Sequence, residues 1–587
     1  MVTIRDCLRV CSVAQALASS TWVVHFHRFL VMHIIGLLAV LIALPLLGIL
    51  AAWLGLDAAG VDSLRQQMQT VLPGYLATSG WLALMVPLGV VLVGGAAAVT
   101  VSLFEFPGRR WLSWALLLPM AMPAYVSAYA YTDFLQYAGL VQSTLRGWFP
   151  GWRMDVRGLP GAICMFVFTL YPYAYLLARN ALSERGNHLM EAARMLGTPL
   201  AERIVRVALP LARPALAAGA ALALMETLAD YGVSAYFGLT TFTTGIYKAW
   251  VVLDDRIAAA QYASLLLLFV AVLLWLERRE QGRMRFAATR GARSADAADS
   301  AEGTRPHLRR GPTVLAWLVC GLPVVAGFLL PVGILLHLWW GEAGRDVGHE
   351  AGVAFDLARY AGWVWNSFRF GGMAALAAIV LALALCFALR ASGLPRLQGA
   401  MLRLTARLAG MGYAIPGSVI AVGILLPVAW LQARWPAAGL GVLLTASSLG
   451  VIYAYLVRFT AVAVQSVESG YTRIPVSLDE AARTLGSSRA AIAWRLHLPL
   501  LWRSLAVAAL MVFVDVVKEL PATLLLRPFD TDTLAVIAHN LARDERLGEA
   551  ALPALSIVLV GLAPVLLVMR ALDGRRRAPL QSGSTPA

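Results

Sequence analysis

The sequence has 587 residues, of which 59% are hydrophobic and only 14% charged. This balance excludes an ordinary soluble domain, in which roughly a quarter of the residues are charged. The formal net charge of +15 comes mainly from arginines in the segments between apolar stretches. If successive apolar stretches cross a membrane in opposite directions, these arginine-containing segments all lie on the same side. Loops rich in Lys and Arg are cytoplasmic. The charge therefore predicts a membrane protein with lipid contacts, with both termini in the cytoplasm and with no nucleic-acid partner.

Runs of about 20 apolar residues predict about twelve transmembrane helices. They are centred near residues 42, 90, 121, 170, 225, 267, 325, 379, 419, 449, 514 and 560. About six precede and about six follow the polar segment 278–311, so each half begins and ends inside and any repeat is parallel. We predict an all-α polytopic fold with a cytoplasmic segment at 1–28, a first repeat at 29–277, a cytoplasmic linker at 278–311, a second repeat at 312–571 and a cytoplasmic tail at 572–587.

The third predicted helix of each half contains prolines, at Pro119 and Pro123 in the first half and at Pro416 in the second. Inside a membrane such breaks persist only where neighbours or a cavity satisfy the freed backbone groups. They are either bending points for alternating access or simple kinks in packed helices. The tyrosines of YPYAYLLAR, Tyr171, Tyr173 and Tyr175, alternate along the next helix, which favours packing or an interfacial aromatic belt over a role as phenolate ligands.

A charged segment occurs twice in this apolar chain. EAARMLGTPLAERIVRVALP occupies Glu191–Pro210, and EAARTLGSSRAAIAWRLHLP occupies Glu480–Pro499, 289 positions later, with about half of the positions identical and no gap. EAARxLG is a run of good helix formers closed by glycine, which predicts a short helix ending at Gly197 and at Gly486.

A second short helix is predicted to follow each glycine turn. It begins at Thr198–Pro199 and Ser487–Ser488, which are suited to helix N-caps, and ends near Leu209–Pro210 and Leu498–Pro499. One such helix pair would suit the lipid headgroups. Two copies at the same place in parallel halves favour docking of two copies of a partner.

This motif resembles the coupling loop of binding-protein-dependent ABC importer permeases. Apart from its first 25 residues and the linker, the chain resembles the fused double permeases of ferric-iron importers, through LLPMAMPAYVSAYAYTDFLQYAGL, LADYGVSAYFG, TTGIYKAW, AAAQYASLLLL and VKELPATLLLRPF. The resemblance implies a multi-pass protein of the bacterial inner membrane, two copies of an ABC ATPase subunit on the cytoplasmic face, and a periplasmic solute-binding protein. The implied ATPase-coupling residues are Glu191, Ala192, Ala193, Gly197, Leu209, Pro210, Glu480, Ala481, Ala482, Gly486, Leu498 and Pro499.

The chain lacks the sequence signature of a nucleotide site. A P-loop needs Gly-Lys-Ser/Thr, and the two lysines, Lys248 in IYKAW and Lys518 in VKEL, do not fit it. We therefore expect a transporter subunit that is not itself an enzyme and binds no cofactor, with ATP and magnesium held by the partner ATPase.

Four acidic residues lie inside predicted membrane helices, where charges are costly and functional by default. Glu226 and Asp230 are four residues apart, hence on one helical face, and Asp515 and Glu519 repeat this spacing 289 positions later. Oxygen ligands suit hard cations, so the four residues are candidates for a translocation pathway, although no metal site is firmly assigned. Alternatively they cap or join helices, with Lys518 neutralising Asp515.

These observations predict a permease that moves ferric iron, delivered by a periplasmic binding protein, by alternating access. The alternatives are an ABC permease for thiamine, phosphonate or polyamine, and a proton-coupled secondary transporter that uses the four carboxylates as a relay. A membrane enzyme or assembly factor is disfavoured, because no nucleophile elbow or His-rich metal motif is present in the sequence.

Overall fold

The computed structural model describes residues 21–54, 58–182, 187–288, 306–346, 356–390 and 396–574. The predicted N-terminal segment up to residue 20, the central part of the linker (289–305) and the tail from residue 575 lie outside these ranges. The α-helices of the first half are α1 (Thr21–Ala51), α2 (Ala58–Thr70), α3 (Leu72–Leu103), α4 (Arg109–Ala115), α5 (Ala124–Leu135), α6 (Leu140–Trp148), α7 (Leu159–Ala181), α8 (Asn187–Met195), α9 (Leu200–Arg203), α10 (Leu209–Ala229), α11 (Gly232–Tyr236), α12 (Phe242–Tyr247) and α13 (Arg256–Ala288).

The α-helices of the second half are α14 (Arg310–Val324), α15 (Leu330–Asp346), α16 (Leu357–Arg390), α17 (Arg396–Met411), α18 (Gly417–Arg434), α19 (Leu440–Thr445), α20 (Leu449–Tyr471), α21 (Val476–Thr484), α22 (Arg489–Ala491), α23 (Leu498–Lys518), α24 (Pro521–Leu526), α25 (Leu534–Arg543) and α26 (Leu547–Gly574). Short 3₁₀ and π segments connect several of them. The all-helical fold agrees with the prediction from composition.

The described residues contain most of the roughly twelve predicted membrane-spanning helices. Ten helical segments in the described ranges are long and apolar enough to cross a membrane, and an eleventh span is counted if the bent pair 109–121 and 124–135 is one crossing. The apolar part of α1, Gly36–Ala51, is shorter than these. Two predicted windows are missing from the ten. The window near residue 121 reads through a 94° bend, which hydropathy does not register, and the window near residue 42 corresponds to the shorter stretch Gly36–Ala51.

Each half is built on the same three-helix core. In the first half α3, α7 and α10 pack against one another, and in the second half α16, α20 and α23 do the same. The helices correspond in chain order, so the tertiary contacts confirm the parallel repeat that the sequence predicted.

The two halves exchange their first helices. Helix α1 packs on α17 and α18 of the second half, whereas α14 packs on α3 and α15 packs on α5 of the first half. The two buried apolar clusters reflect this exchange, because each contains residues from both halves of the chain. Neither half is therefore a complete packing unit alone.

Close helix packing in the first core depends on a small residue. A Cβ added to Gly219 of α10 would lie 2.4 Å from the Cα of Ala174 in α7 and 2.8 Å from its backbone nitrogen. Because both atoms belong to the backbone, a side chain here would separate α7 from α10. Small residues allow this kind of close backbone approach between membrane helices.

The ends of the predicted linker are ordered. Helix α13 continues through residues 278–288. On the other side of 289–305, the backbone of Glu105 donates to the carbonyl of Pro306, and Leu308 donates to the carbonyl of Glu105. These bonds attach the segment that precedes the second half to the loop between α3 and α4.

Candidate functional site: two repeated loops and a central cavity

The repeated segments form helix-turn-helix loops with the same geometry in both halves. Helices α8 and α21 are followed by Gly197 and Gly486, whose φ angles of +78° and +83° place them in the left-handed region. That region favours glycine, so the predicted helix ends are confirmed. Ser488 is the N-cap of α22 and accepts a hydrogen bond from the backbone of Ala491. Thr198 instead donates to the carbonyl of Ala193 in the preceding helix, so Pro199 occupies the N-cap position of α9.

The prediction that the second helix ends near Leu209–Pro210 and Leu498–Pro499 was wrong. In both halves a π segment, Ile204–Ala208 or Ile492–His497, leads without a break into α10 or α23. The backbone of Leu209 donates to Ile204 and that of Leu498 to Ala493, each five residues earlier. The wider π turn accommodates the missing N–H and the ring of the proline that follows. Each repeated loop is therefore continuous with the transmembrane helix that follows it.

The tips of both loops expose apolar side chains. Met195 is 87% exposed, Leu196 83% and Leu485 85%, and the neighbouring Glu480 is also exposed. Single exposed hydrophobic residues are ordinary, but here they stand at equivalent positions of two protruding loops. A partner with apolar grooves would cover them.

A central cavity of about 110 Å³ lies between the two halves. All four candidate carboxylates line it, namely Glu226, Asp230, Asp515 and Glu519. Residues related by the 289-position shift line the cavity from both halves, as with Thr169 and Arg458. Although the four acids share one cavity, no three His, Cys, Asp or Glu side chains in the described part of the chain are grouped closely enough to hold a metal ion.

Two of the four carboxylates cap short helices. Asp230 accepts hydrogen bonds from the backbones of Val233 at 2.9 Å and Ser234 at 3.3 Å, at the start of α11. Glu519 accepts from the backbones of Ala522 and Thr523 at 3.2 Å, at the start of α24. A carboxylate satisfies the orphan N–H groups of a helix N-terminus and is favoured by the helix dipole. Asp230 and Glu519 therefore have a structural role whatever passes through the cavity.

The other two carboxylates are not used in this way. Across the described residues, neither Glu226 nor Asp515 forms a side-chain hydrogen bond or an ion pair. Both side chains are only partly buried and face the cavity. They are therefore the two acids whose oxygens are available to a ligand.

The cavity also contains two cations, and both belong to the second half. Arg458 of α20 donates to Glu519 Oε1 at 2.8 Å, and Lys518 Nζ donates to the carbonyl of Met120 at 2.8 Å. Lys518 thus forms its hydrogen bond with the first half, while its charge interacts with the Asp515 carboxylate, as the sequence predicted. At the equivalent first-half positions stand Thr169 and Ala229.

Arg458 was not singled out from the sequence, although a charge inside the apolar stretch YAYLVRFT was an available signal. Its side chain is 9% exposed and that of Glu519 is 2% exposed. Burial of both ions requires this pairing, because an isolated buried charge is strongly destabilising.

The tyrosines of α7 divide into two groups. Tyr171 and Tyr175 are fully buried, as expected for packing residues. Tyr173 instead lines the cavity together with Tyr413, and the two phenol groups interact. Residues 171 and 175 share one helical face, whereas residue 173 points to the opposite side. The packing interpretation is therefore correct for two of the three tyrosines.

The predicted proline breaks form part of the cavity wall. A 3₁₀ turn at Leu118–Ala121 separates α4 from α5, and another at Gly412–Ala414 separates α17 from α18. Pro119 and Pro123 line the cavity. The carbonyl of Met120, freed by the break, is the acceptor used by Lys518. At the first break, therefore, the backbone itself bonds to a residue of the cavity.

Two parallel helical repeats, a cavity between them and a protruding loop from each define a membrane permease of the two-repeat importer class. The profile of the family "binding-protein-dependent transport system inner membrane component" matches residues 90–286 and again 395–578. The chain belongs to this family, and the double match confirms that two permease units are fused in one chain.

Similar proteins cover different parts of the chain. The Fe(3+)-transport system permease protein FbpB 2 of Haemophilus influenzae is 23% identical over 91% of this chain and 97% of its own length. The putative 2-aminoethylphosphonate transport system permease protein PhnU of Salmonella typhimurium is 25% identical over 35% of this chain and 74% of its own. The sulfate transport system permease protein CysT of Escherichia coli is 28% identical over 31% of this chain and 66% of its own.

Proposed function

We propose that this permease imports ferric iron, using ATP hydrolysed by two copies of an ABC ATPase subunit bound to its cytoplasmic loops. In this scheme a periplasmic binding protein delivers the ion, and both chain termini lie in the cytoplasm. The relative that spans almost the full length of both chains is named for Fe(3+) transport, which supports this substrate over those of the shorter matches.

The observation that carries the proposal is the free carboxylate pair in the cavity. Glu226 and Asp515 face the cavity without hydrogen-bond or ion-pair partners among the described residues, whereas Arg458 is already paired with Glu519. The cavity lining holds four carboxylates and two cations, and one of those cations is already paired. An anion entering this space would therefore meet an excess of negative charge, and like charges in a poorly solvated site repel strongly. A hard cation would find oxygen ligands of the type it prefers.

The carboxylates are suited to transient contact. Two oxygen groups on opposite halves coordinate a cation only while the halves are close together, so separation of the halves weakens the site. A pathway must bind its ion weakly enough to release it. We place high-affinity capture in the binding protein and passage in this cavity.

The loops supply the connection to ATP. The two loops, which carry Glu191 in the first half and Glu480 in the second, are proposed to sit in grooves of the ATPase subunits as short helices. Each loop continues through a π turn into α10 or α23. Movement of the ATPase subunits would therefore act directly on the helices that end at the cavity.

Uptake by the reconstituted complex tests the substrate. Proteoliposomes containing the permease, its ATPase and its binding protein should accumulate radiolabelled Fe³⁺ but not labelled thiamine, 2-aminoethylphosphonate or sulfate. Glu226→Gln combined with Asp515→Asn should reduce Fe³⁺ uptake at least about tenfold, because loss of two charge-assisted contacts removes on the order of 1.5–3 kcal/mol each. Asp254→Asn, an acid 84% exposed outside the cavity, is the matched control and should transport normally.

Two results would contradict the proposal. Transport of sulfate or phosphonate in place of Fe³⁺ would reassign the substrate to the anions of the shorter relatives. Uptake that survives ATP depletion and collapses with an uncoupler would select the proton-coupled alternative.

A further inference from the structure

The second coupling loop is attached to the membrane domain through a buried polar cluster. Asp479 immediately precedes the exposed Glu480, but its own side chain points inward and is only 5% exposed. Its carboxylate accepts from Arg390 Nε at 2.7 Å and from His497 Nε2 at 2.9 Å. On the other side of the imidazole, Tyr471 lies with its hydroxyl 3.2 Å from His497 Nδ1. We call Arg390, Tyr471, Asp479 and His497 the second-loop cluster.

Arg390 connects this cluster to the ends of two transmembrane helices. It is the last residue of α16, and its guanidinium also donates to the carbonyls of Tyr471 at 3.3 Å and Ile474 at 2.9 Å, where α20 ends. A guanidinium that donates in several fixed directions constrains its neighbours more than a point charge does. The coupling helix α21 is thereby held in one orientation relative to α16 and α20.

The first coupling loop is attached differently. The residues 289 positions before Tyr471, Asp479 and His497 are Leu182, Met190 and Ala208, which are 0%, 8% and 0% exposed. The equivalent contacts are therefore apolar. Apolar contacts are non-directional, whereas charge-assisted hydrogen bonds fix both distance and angle.

The cluster also lies at one end of a helix that reaches the cavity. His497 is the last residue of the π segment that leads into α23, and α23 ends at Lys518. At 1.5 Å per residue its 21 residues span about 30 Å. The far end of this helix carries Asp515 and Lys518, which line the cavity. A rotation imposed on α21 would thus be passed through His497 to the cavity residues.

We propose that Arg390, Asp479 and His497 are positioning residues that transmit the motion of the second ATPase subunit to the cavity, and that the two coupling loops are functionally unequal for this reason. This inference rests on the coupling role proposed above for the loops. It does not depend on which substrate is carried.

The test converts the cluster to the apolar chemistry of the first half. The triple variant Arg390→Leu, Asp479→Met, His497→Ala should fold and bind the ATPase, since replacing a whole buried ion cluster by apolar residues is often neutral or stabilising. We expect normal co-purification and ATP hydrolysis, but at least about fivefold less Fe³⁺ taken up per ATP. Met190→Leu, a volume-conserving change at the equivalent first-half position, should leave this ratio unchanged.

A second readout needs no substrate. In a cysteine-free background, nitroxide labels at Ala217 and Ala506, exposed and equivalent positions of α10 and α23, should change separation on ATP binding in the otherwise unmodified complex. The triple variant should lose this change. If the otherwise unmodified complex shows the ATP-dependent shift but takes up no Fe³⁺, the substrate assignment fails while the transmission proposal stands.

Retention of both the uptake ratio and the distance change in the triple variant would overturn the proposal. If the triple variant does not assemble, Asp479→Asn decides the question by the same two measurements, because it keeps the side-chain shape and removes only the charge. Asp479→Asn should lower uptake per ATP at least about twofold, and an unchanged ratio would equally overturn the proposal.

Discussion

The buried ion pair between Arg458 and Glu519 offers a quantitative test of how the cavity is held together. Arg458 lies on α20, and Glu519 stands between α23 and α24. Replacing Arg458 by Met removes the cation while keeping an unbranched side chain. Glu519 would keep its helix-capping bonds to Ala522 and Thr523 but would lose its only charged partner among the described residues.

The expected magnitude follows from the separation of 2.8 Å. With an effective dielectric constant of about 20, two unit charges at that distance attract by about 6 kcal/mol. Desolvation of both ions opposes this attraction, which leaves a coupling energy of about 2–3 kcal/mol. Arg458→Met alone should lower the free energy of unfolding by about 3–5 kcal/mol, because it leaves an uncompensated buried charge.

A double-mutant cycle measures this coupling directly. Arg458→Met, Glu519→Gln and the double variant are unfolded reversibly in mixed detergent micelles at neutral pH, and the three losses of unfolding free energy are compared with the parent protein. The double variant should be more stable than Arg458→Met, since no unpaired charge remains. A coupling energy below about 0.5 kcal/mol, the size found for independent sites, would refute the reasoning.

Three further outcomes are expected. Glu191→Lys together with Glu480→Lys should abolish coupling, so that ATP hydrolysis by the assembled complex continues without uptake; unchanged uptake would count against the coupling role of the loops. Gly219→Ala should lower the unfolding free energy by about 1–3 kcal/mol, because its Cβ meets the α7 backbone, whereas Gly333→Ala on α15, with open space around it, should not. Burial alone would raise the pKa of Asp479, but hydrogen bonds from Arg390 and His497 outweigh it and lower that pKa. The contribution of the Asp479 carboxylate to stability is measured as the difference in unfolding free energy between the parent protein and Asp479→Asn. This difference should be largest above the unfolded pKa of about 3.9 and should disappear as pH falls through the lower folded pKa.

The sequence by itself determined the class of protein and its repeat. Continuous apolar runs of about 20 residues indicate membrane-spanning helices, and the loop motif recurs because the same helix-glycine-helix geometry is required twice. The glycine turns were predictable since they depend on local backbone preference at Gly197 and Gly486. The placement of four acids at a 289-position shift was equally visible, because it requires only helical periodicity.

Tertiary structure alone decided what those acids do. Asp230 and Glu519 cap helices that begin after them, and Glu226 and Asp515 remain available, yet all four look alike as carboxylates in apolar segments. The continuation of each loop helix through its proline depended on a π turn, which arises from packing and has no local signature. Lys518 donates its hydrogen bond to the opposite half, because the cavity brings the freed Met120 carbonyl within reach, while its charge still acts on Asp515. Local propensity fixes elements and their spacing, whereas the partners of a buried charge are set by the side chains that the fold places around it.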